Sequence, residues 1–255
     1  MIIEDKFIYI SLPRRGSTSF HYSCILSNFR IKNIDTFFEN GNSKIDFNSI
    51  DVSNIMDYIY HGHEPLNEIQ QKFGNSYPII AVNRDRHEVF YSLLKHIIFD
   101  IKRAGFDDIA NHFSKLTTDE LFFFNTNDIL SKKSRWETIA NYLYNNGLVK
   151  TNKPYSPIRA LSIHNIEYII NIIDILLTPA SYFHNHNKNI IWFDINNLSD
   201  MENWVSDITK KPFKIQSVNS SKHIDCNIVL NDNFKKKYNS VFDYYDFPKS
   251  KNTLI

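Results

Sequence analysis

Short apolar runs closed by polar turns set the rhythm of this chain. Lys6 to Leu12 is dense in Ile, Phe and Tyr and stops at Pro13, the pattern of a central strand buried on both faces of a parallel sheet. "PIIAV", Pro78 to Val82, and "NIIWFDI", Asn189 to Ile195, repeat that pattern. Each run leads through a polar turn into apolar positions at helical spacing. The first helix is predicted from Ser17 to about Phe29, with Phe20, Ile25 and Leu26 for the core. The second runs from about His87 to Arg103, and the third starts near Leu198 with Met201, Trp204, Val205 and Ile208 on one face. Strands alternating with helices predict an α/β layered fold with a mostly parallel central sheet.

Between these units, Asn40 to Asn48 is polar and reads as a loop before an Ile50 to Ile59 segment. Asp107 to Leu148 reads as helices with loops, Pro154 and Pro157 mark a break, and Ile166 to Leu177 reads as a further helix. The expected organisation is a single domain over 1–255, with a helical insertion at about 107–157.

Apolar residues make up 42% of the 255 and aromatics 15%, so the chain can bury a core of its own. The net charge of +1 excludes the strongly basic surface of a general nucleic-acid binder, and no nucleic-acid partner is expected. Charge must act locally. Lys102, Arg103, Lys132, Lys133 and Arg135 are candidates to touch an acidic polymer, with solvated helix faces as the alternative. Two cysteines, Cys24 and Cys226, make no secreted disulfide framework and read as buried core thiols in a reducing compartment. The start of the sequence has no signal-peptide pattern, and the most apolar later stretch, Ile163 to Leu177, is interrupted by polar residues. A cytoplasmic protein without a membrane span is expected.

The candidate chemistry sits where strands end. In "PRRGSTS", Pro13 to Ser19, the amides of Arg15, Gly16, Ser17, Thr18 and Ser19 can converge on an anion at the positive end of a helix dipole. In "AVNRDRHEVFYS", Arg84 closes a strand and Ser92 follows eight residues later on the next helix. A guanidinium fork and a hydroxyl across such a turn suit a terminal phosphate. Between these turns lies "YHGH", Tyr60 to His63. A histidine there could take a proton from an acceptor hydroxyl, hold a metal with further ligands, or serve structure alone. Glu64 beside it is a second candidate base.

Together these motifs resemble the sulfotransferases that use 3′-phosphoadenosine 5′-phosphosulfate (PAPS). Pro13 to Thr18 is similar to that family's 5′-phosphosulfate loop, Pro-(Lys/Arg)-x-Gly-(Thr/Ser)-(Thr/Ser), and Arg84 with Ser92 resembles its 3′-phosphate motif. "HGH" resembles the uronyl 2-O-sulfotransferases acting on heparan, dermatan or chondroitin, where a histidine is the catalytic base. The resemblance implies a P-loop-containing nucleoside triphosphate hydrolase-like, three-layer fold. It implies PAPS as cofactor, 3′-phosphoadenosine 5′-phosphate (PAP) as product, no metal, and a carbohydrate hydroxyl as acceptor. It implies a histidine base, His63 or His61, of which we favour His63 with His61 as a supporting donor, and a catalytic Arg14; Arg14, Arg15, Gly16, Ser17, Thr18 and Ser19 would hold the 5′ end. Arg84 and Ser92 would hold the 3′-phosphate. The late segment "IIWFDINNLSDMENWVSDITKKPFKIQSVNSS" and the "YNSVFDYYDF" ending continue the likeness, and Asn219, Ser220, Ser221 and Lys222 would help enclose the nucleotide. Asp107 to Pro157 has no counterpart in it.

Two positions depart from the commoner pattern. Arg14 stands where many relatives carry a lysine, so it can stabilise charge on the leaving phosphate but is a poor proton donor. Ser19 replaces the tryptophan with which cytosolic small-molecule sulfotransferases stack adenine, which points toward the carbohydrate-type branch. Two alternatives stand beside this reading: a P-loop kinase-like nucleotide enzyme, which lacks its lysine after Gly16, and a non-catalytic relative that keeps the cofactor cleft.

Overall fold

The computed structural model describes residues 1–32, 63–116, 132–150, 166–178, 180–185 and 187–217, together with residues 232 and 236. The chain divides into two compact units. The first takes Met1–Asp85, Pro179–Ser220 and Asp246–Ile255, and the second takes Arg86–Thr178 and Ser221–Tyr245.

The first unit is built on a five-stranded mixed sheet. Its strands are β1 (Ile2–Ile3), β2 (Phe7–Ile10), β3 (Ile31–Lys32), β4 (Ile79–Asn83) and β5 (Ile190–Asp194), in the order β3-β1-β2-β4-β5. The three apolar runs became β2, β4 and β5. These pair in parallel, with Ile8 opposite Ile79 and Ile80 opposite Ile191. β1 pairs antiparallel with both β2 and β3, so the sheet is parallel in its β2-β4-β5 half only. The reversal comes from a tight turn after Ile3. Glu4 and Asp5 both take positive φ, 53° and 54°, and Lys6 N–H closes on Ile3 C=O at 2.9 Å. Two successive left-handed residues have the twist that joins neighbouring antiparallel strands.

Alternation along β2 sends its side chains to opposite faces. Phe7 and Tyr9 pack with Phe20 and Cys24 of α1 (Ser17–Leu26), with Met201 and Val205 of α8 (Leu198–Thr209), and with Phe213. Trp204 and Ile208 pack against the same cluster, as the spacing on α8 predicts. Ile8 and Ile10 face Leu66 and Ile69 of α2 (Leu66–Phe73) and Phe183 of α7 (Ala180–His184). Helices therefore flank the sheet on both faces. Tyr9 and Phe20 stack with ring centroids 3.9 Å apart and planes 12° from parallel, fixing α1 over β2. Each large side chain buried in this way contributes about 1.5–3 kcal/mol.

The second unit is helical: α3 (Arg86–Arg103) packs on α4 (Asp107–Lys115) and on α6 (Ile166–Leu177), which in turn packs on α5 (Lys132–Asn145). Trp136, Ile139 and Leu143 form the buried stripe of α5. Arg135 lies on that same side, 2% exposed, where its Nε and Nη2 donate to the two carboxylate oxygens of Asp174 at 2.6 and 3.2 Å. That corrects the expectation of Arg135 as a polymer contact: a buried fork paired with a carboxylate cannot reach a surface ligand. Lys102, Arg103 and Lys133 are exposed. No described helix is long and apolar enough to cross a membrane.

Candidate functional site

The loop between β2 and α1 is tightly wound. Leu12 ends its apolar lead-in, Arg14 adopts φ 56°, and Gly16 adopts φ 81° as the residue preceding the helix. A Cβ on Gly16 would meet only the Ile195 methyl at 3.8 Å, so glycine is required there by backbone conformation and not by lack of space. The left-handed Arg14 costs roughly 1–3 kcal/mol and persists only if its surroundings hold it.

Two consecutive residues at the end of β4 do so. Asn83 Oδ1 accepts from Arg15 Nη1 at 3.2 Å and from the Arg84 backbone N–H at 3.0 Å. The Arg84 guanidinium reaches back across the loop, its Nη1 donating to Arg14 C=O at 3.1 Å. Asn83 C=O accepts from Ile195 N–H at 2.9 Å, which ties in the residue just past β5. The carboxyl ends of three parallel strands are thus joined, the position where open α/β sheets hold their ligands.

Helix α1 begins with Phe20 N–H bonded to Gly16 C=O at 2.9 Å. The helix supplies no acceptor for the amides of Ser17, Thr18 and Ser19, no side chain caps it, and no acidic residue sits in its first turn. This end therefore favours an anion. Of the predicted loop residues, Ser17 and Thr18 are buried and Arg14, Gly16 and Ser19 are partly exposed. Arg15 is 2% exposed, so its side chain braces the loop from below.

His63 enters from the same sheet end. Its Nδ1 lies 2.6 Å from Ser11 C=O, with Ser11 Oγ farther away at 3.4 Å. A carbonyl can only accept, so Nδ1 carries the proton, and in the neutral ring the basic lone pair is on Nε2. Phe183 packs edge-on to the ring, centroids 6.1 Å apart. Glu64, by contrast, is 8% exposed and faces the Met1 amino group at 3.7 Å. That buried amine also donates to Tyr9 C=O at 3.0 Å, and burial lowers its pKa to about 6 against the opposing pull of Glu64. Glu64 thus faces an internal amine, whereas His63 is held at its Nδ1 by the Ser11 carbonyl.

Ser92 lies buried on α3 in the second unit. His61, Asn219, Ser220, Ser221 and Lys222 lie outside the described residues. Among the described residues, no three His, Cys, Asp or Glu side chains cluster to hold a metal ion. No protein-family model matches the chain, and no curated protein or solved structure matches it significantly. Ser11 and Asn83 were missed in the sequence. Ser11 read there as part of the Lys6 to Leu12 strand and Asn83 as a polar turn residue; their partners, His63 and Arg15, are 52 and 68 residues away in the chain.

Proposed function

We propose that this protein is a PAPS-dependent sulfotransferase that moves a sulfuryl group to a carbohydrate hydroxyl, on a three-layer fold of P-loop type. The observation carrying this reading is the bond from Arg84 Nη1 to Arg14 C=O, because it puts the two phosphate-type turns side by side at one sheet end. The amides opening α1 and the Arg14 side chain would hold the 5′-phosphosulfate, and Arg84 the 3′-phosphate. Ser92 is assigned to that phosphate, and Asn219 to Lys222 to the nucleotide, by sequence likeness alone.

In the proposed step the acceptor oxygen attacks sulfur and its proton passes to His63 Nε2. The bond from sulfur to the bridging phosphate oxygen breaks, and the electron pair leaves with PAP. Negative charge then grows beside the α1 amides and Arg14, where donors fixed in advance stabilise it. The tautomer set by Ser11 C=O supports His63 as base, since it directs the lone pair to Nε2. Calorimetry with PAP tests the reading: binding without added metal is expected, and folded protein that binds none overturns it.

A further inference from the structure

Asn83 has been given no role in the chemistry above, yet it bonds to Arg15 in the β2-α1 loop, to the Arg84 backbone and to Ile195 just past β5. It is the last residue of β4, the strand between β2 and β5. One side-chain oxygen receives both the Arg15 guanidinium and the Arg84 amide, while its backbone carbonyl receives Ile195 N–H. The loop it braces contains a non-glycine residue in left-handed conformation, which relaxes if its supports are removed. Arg84 supplies the second support, and its own backbone is fixed by Asn83.

We propose that Asn83 is the positioning residue of the anion loop, a neutral double acceptor that orients Arg15 and Arg84 without adding negative charge beside the anion. This rests on the sulfotransferase reading for the identity of the anion. Aspartate offers the same acceptor geometry and pairs better with a guanidinium, so structure alone would favour it at this position. An anion site disfavours it, because a carboxylate repels the ligand and draws on the same guanidinium groups.

The test compares wild type, Asn83→Ala and Asn83→Asp by PAP calorimetry, thermal melting and amide NMR. Wild type is expected to bind PAP, and Asn83→Ala to bind at least tenfold more weakly with shifted Arg14 and Gly16 amide signals. Asn83→Asp should keep the melting temperature and those signals yet still bind at least tenfold more weakly, a separation that a merely structural residue would not give. If Asn83→Ala does not fold, Asn83→Asp carries the test alone. Binding within twofold of wild type by either variant overturns the proposal. If wild type binds no PAP, the sulfotransferase reading falls and inorganic sulfate becomes the probe. Sulfate that shifts the Ser17 to Ser19 amides in wild type but not in Asn83→Ala supports Asn83 as positioning residue. Equal shifts in both, or none in wild type, overturn it.

Discussion

Arg84 and Arg14 are 70 residues apart in the chain, and the guanidinium of the first holds the backbone carbonyl of the second at 3.1 Å. One cation therefore shapes the β2-α1 loop from the neighbouring strand end. Arg84→Gln removes the charge and shortens the reach, so PAP affinity should fall tenfold or more, about 1.4 kcal/mol per decade. Arg84→Lys keeps the charge without the fork and should fall between. Calorimetry on both variants decides this, and an unchanged affinity in Arg84→Gln would remove Arg84 from the proposed anion site.

His63→Ala should lower kcat by a factor of roughly 10²–10⁴, the usual contribution of a general base, with PAP affinity nearly unchanged. Transfer of radiolabelled sulfate to a panel of glycans measures the first quantity and calorimetry the second. Loss of binding in step with loss of turnover would show that His63 supports the loop instead of taking a proton.

Tyr9 is fully buried and its hydroxyl has no hydrogen-bond partner among the described residues. A buried donor left unsatisfied costs about 1–3 kcal/mol. Tyr9→Phe keeps the ring stacked on Phe20 and removes that cost, so its urea midpoint should rise. A lower midpoint would mean that the hydroxyl has found a partner in solution.

Cys24 is fully buried, and desolvation, aided by the charge of Glu4, pushes its thiol well above the ordinary value of 9.0. The thiol should resist alkylation in the native protein, with Cys226→Ser used to isolate it. Its raised folded pKa contributes stability in full below the unfolded value, and this is lost as the pH rises past about 9, where the unfolded thiol ionises. Denaturant midpoints should therefore fall more steeply between pH 8.5 and 10, on the order of the unfolded thiol's titration range, in the Cys226→Ser protein than in Cys24→Ala. Equal slopes would exclude Cys24 as the cause.

In the helical unit, Arg135 and Asp174 are 3% and 8% exposed at their side chains. Asp174→Ala leaves the guanidinium buried without its carboxylate and should cost about 3–5 kcal/mol, whereas replacing both by apolar residues of similar volume should recover most of it. A double-mutant cycle on urea unfolding measures the difference.

The sheet half nearest the site was legible in the sequence because β2, β4 and β5 are continuous apolar runs that need no partner to be recognised. Helix α6 was legible to the residue because its isoleucines and leucines are interrupted by Glu167, Asn171 and Asp174 at helical spacing. β1 and β3 were not, since two residues carry no periodicity, and the turn between β1 and β2 uses Glu4-Asp5 where Asn-Gly is the usual signal. Helix α2 escaped because only Leu66 and Ile69 among its eight residues are buried. The β2-α1 loop and Arg84 could be singled out from residue type as candidates, but Arg15 could not be assigned its buried bracing role, which depends on Asn83 in another strand.

The bond from His63 to Ser11 has a mechanical consequence. Ser11 immediately follows β2, and the same stretch of backbone continues through Pro13 into the β2-α1 loop. The proposed proton acceptor and the proposed phosphosulfate cradle are thereby mounted on one short beam, and a shift of β2 carries both together. In the proposed transfer, the distance from base to cradle is then set by a few residues of backbone, and adjustment to acceptors of different size falls to residues that are not fastened to β2.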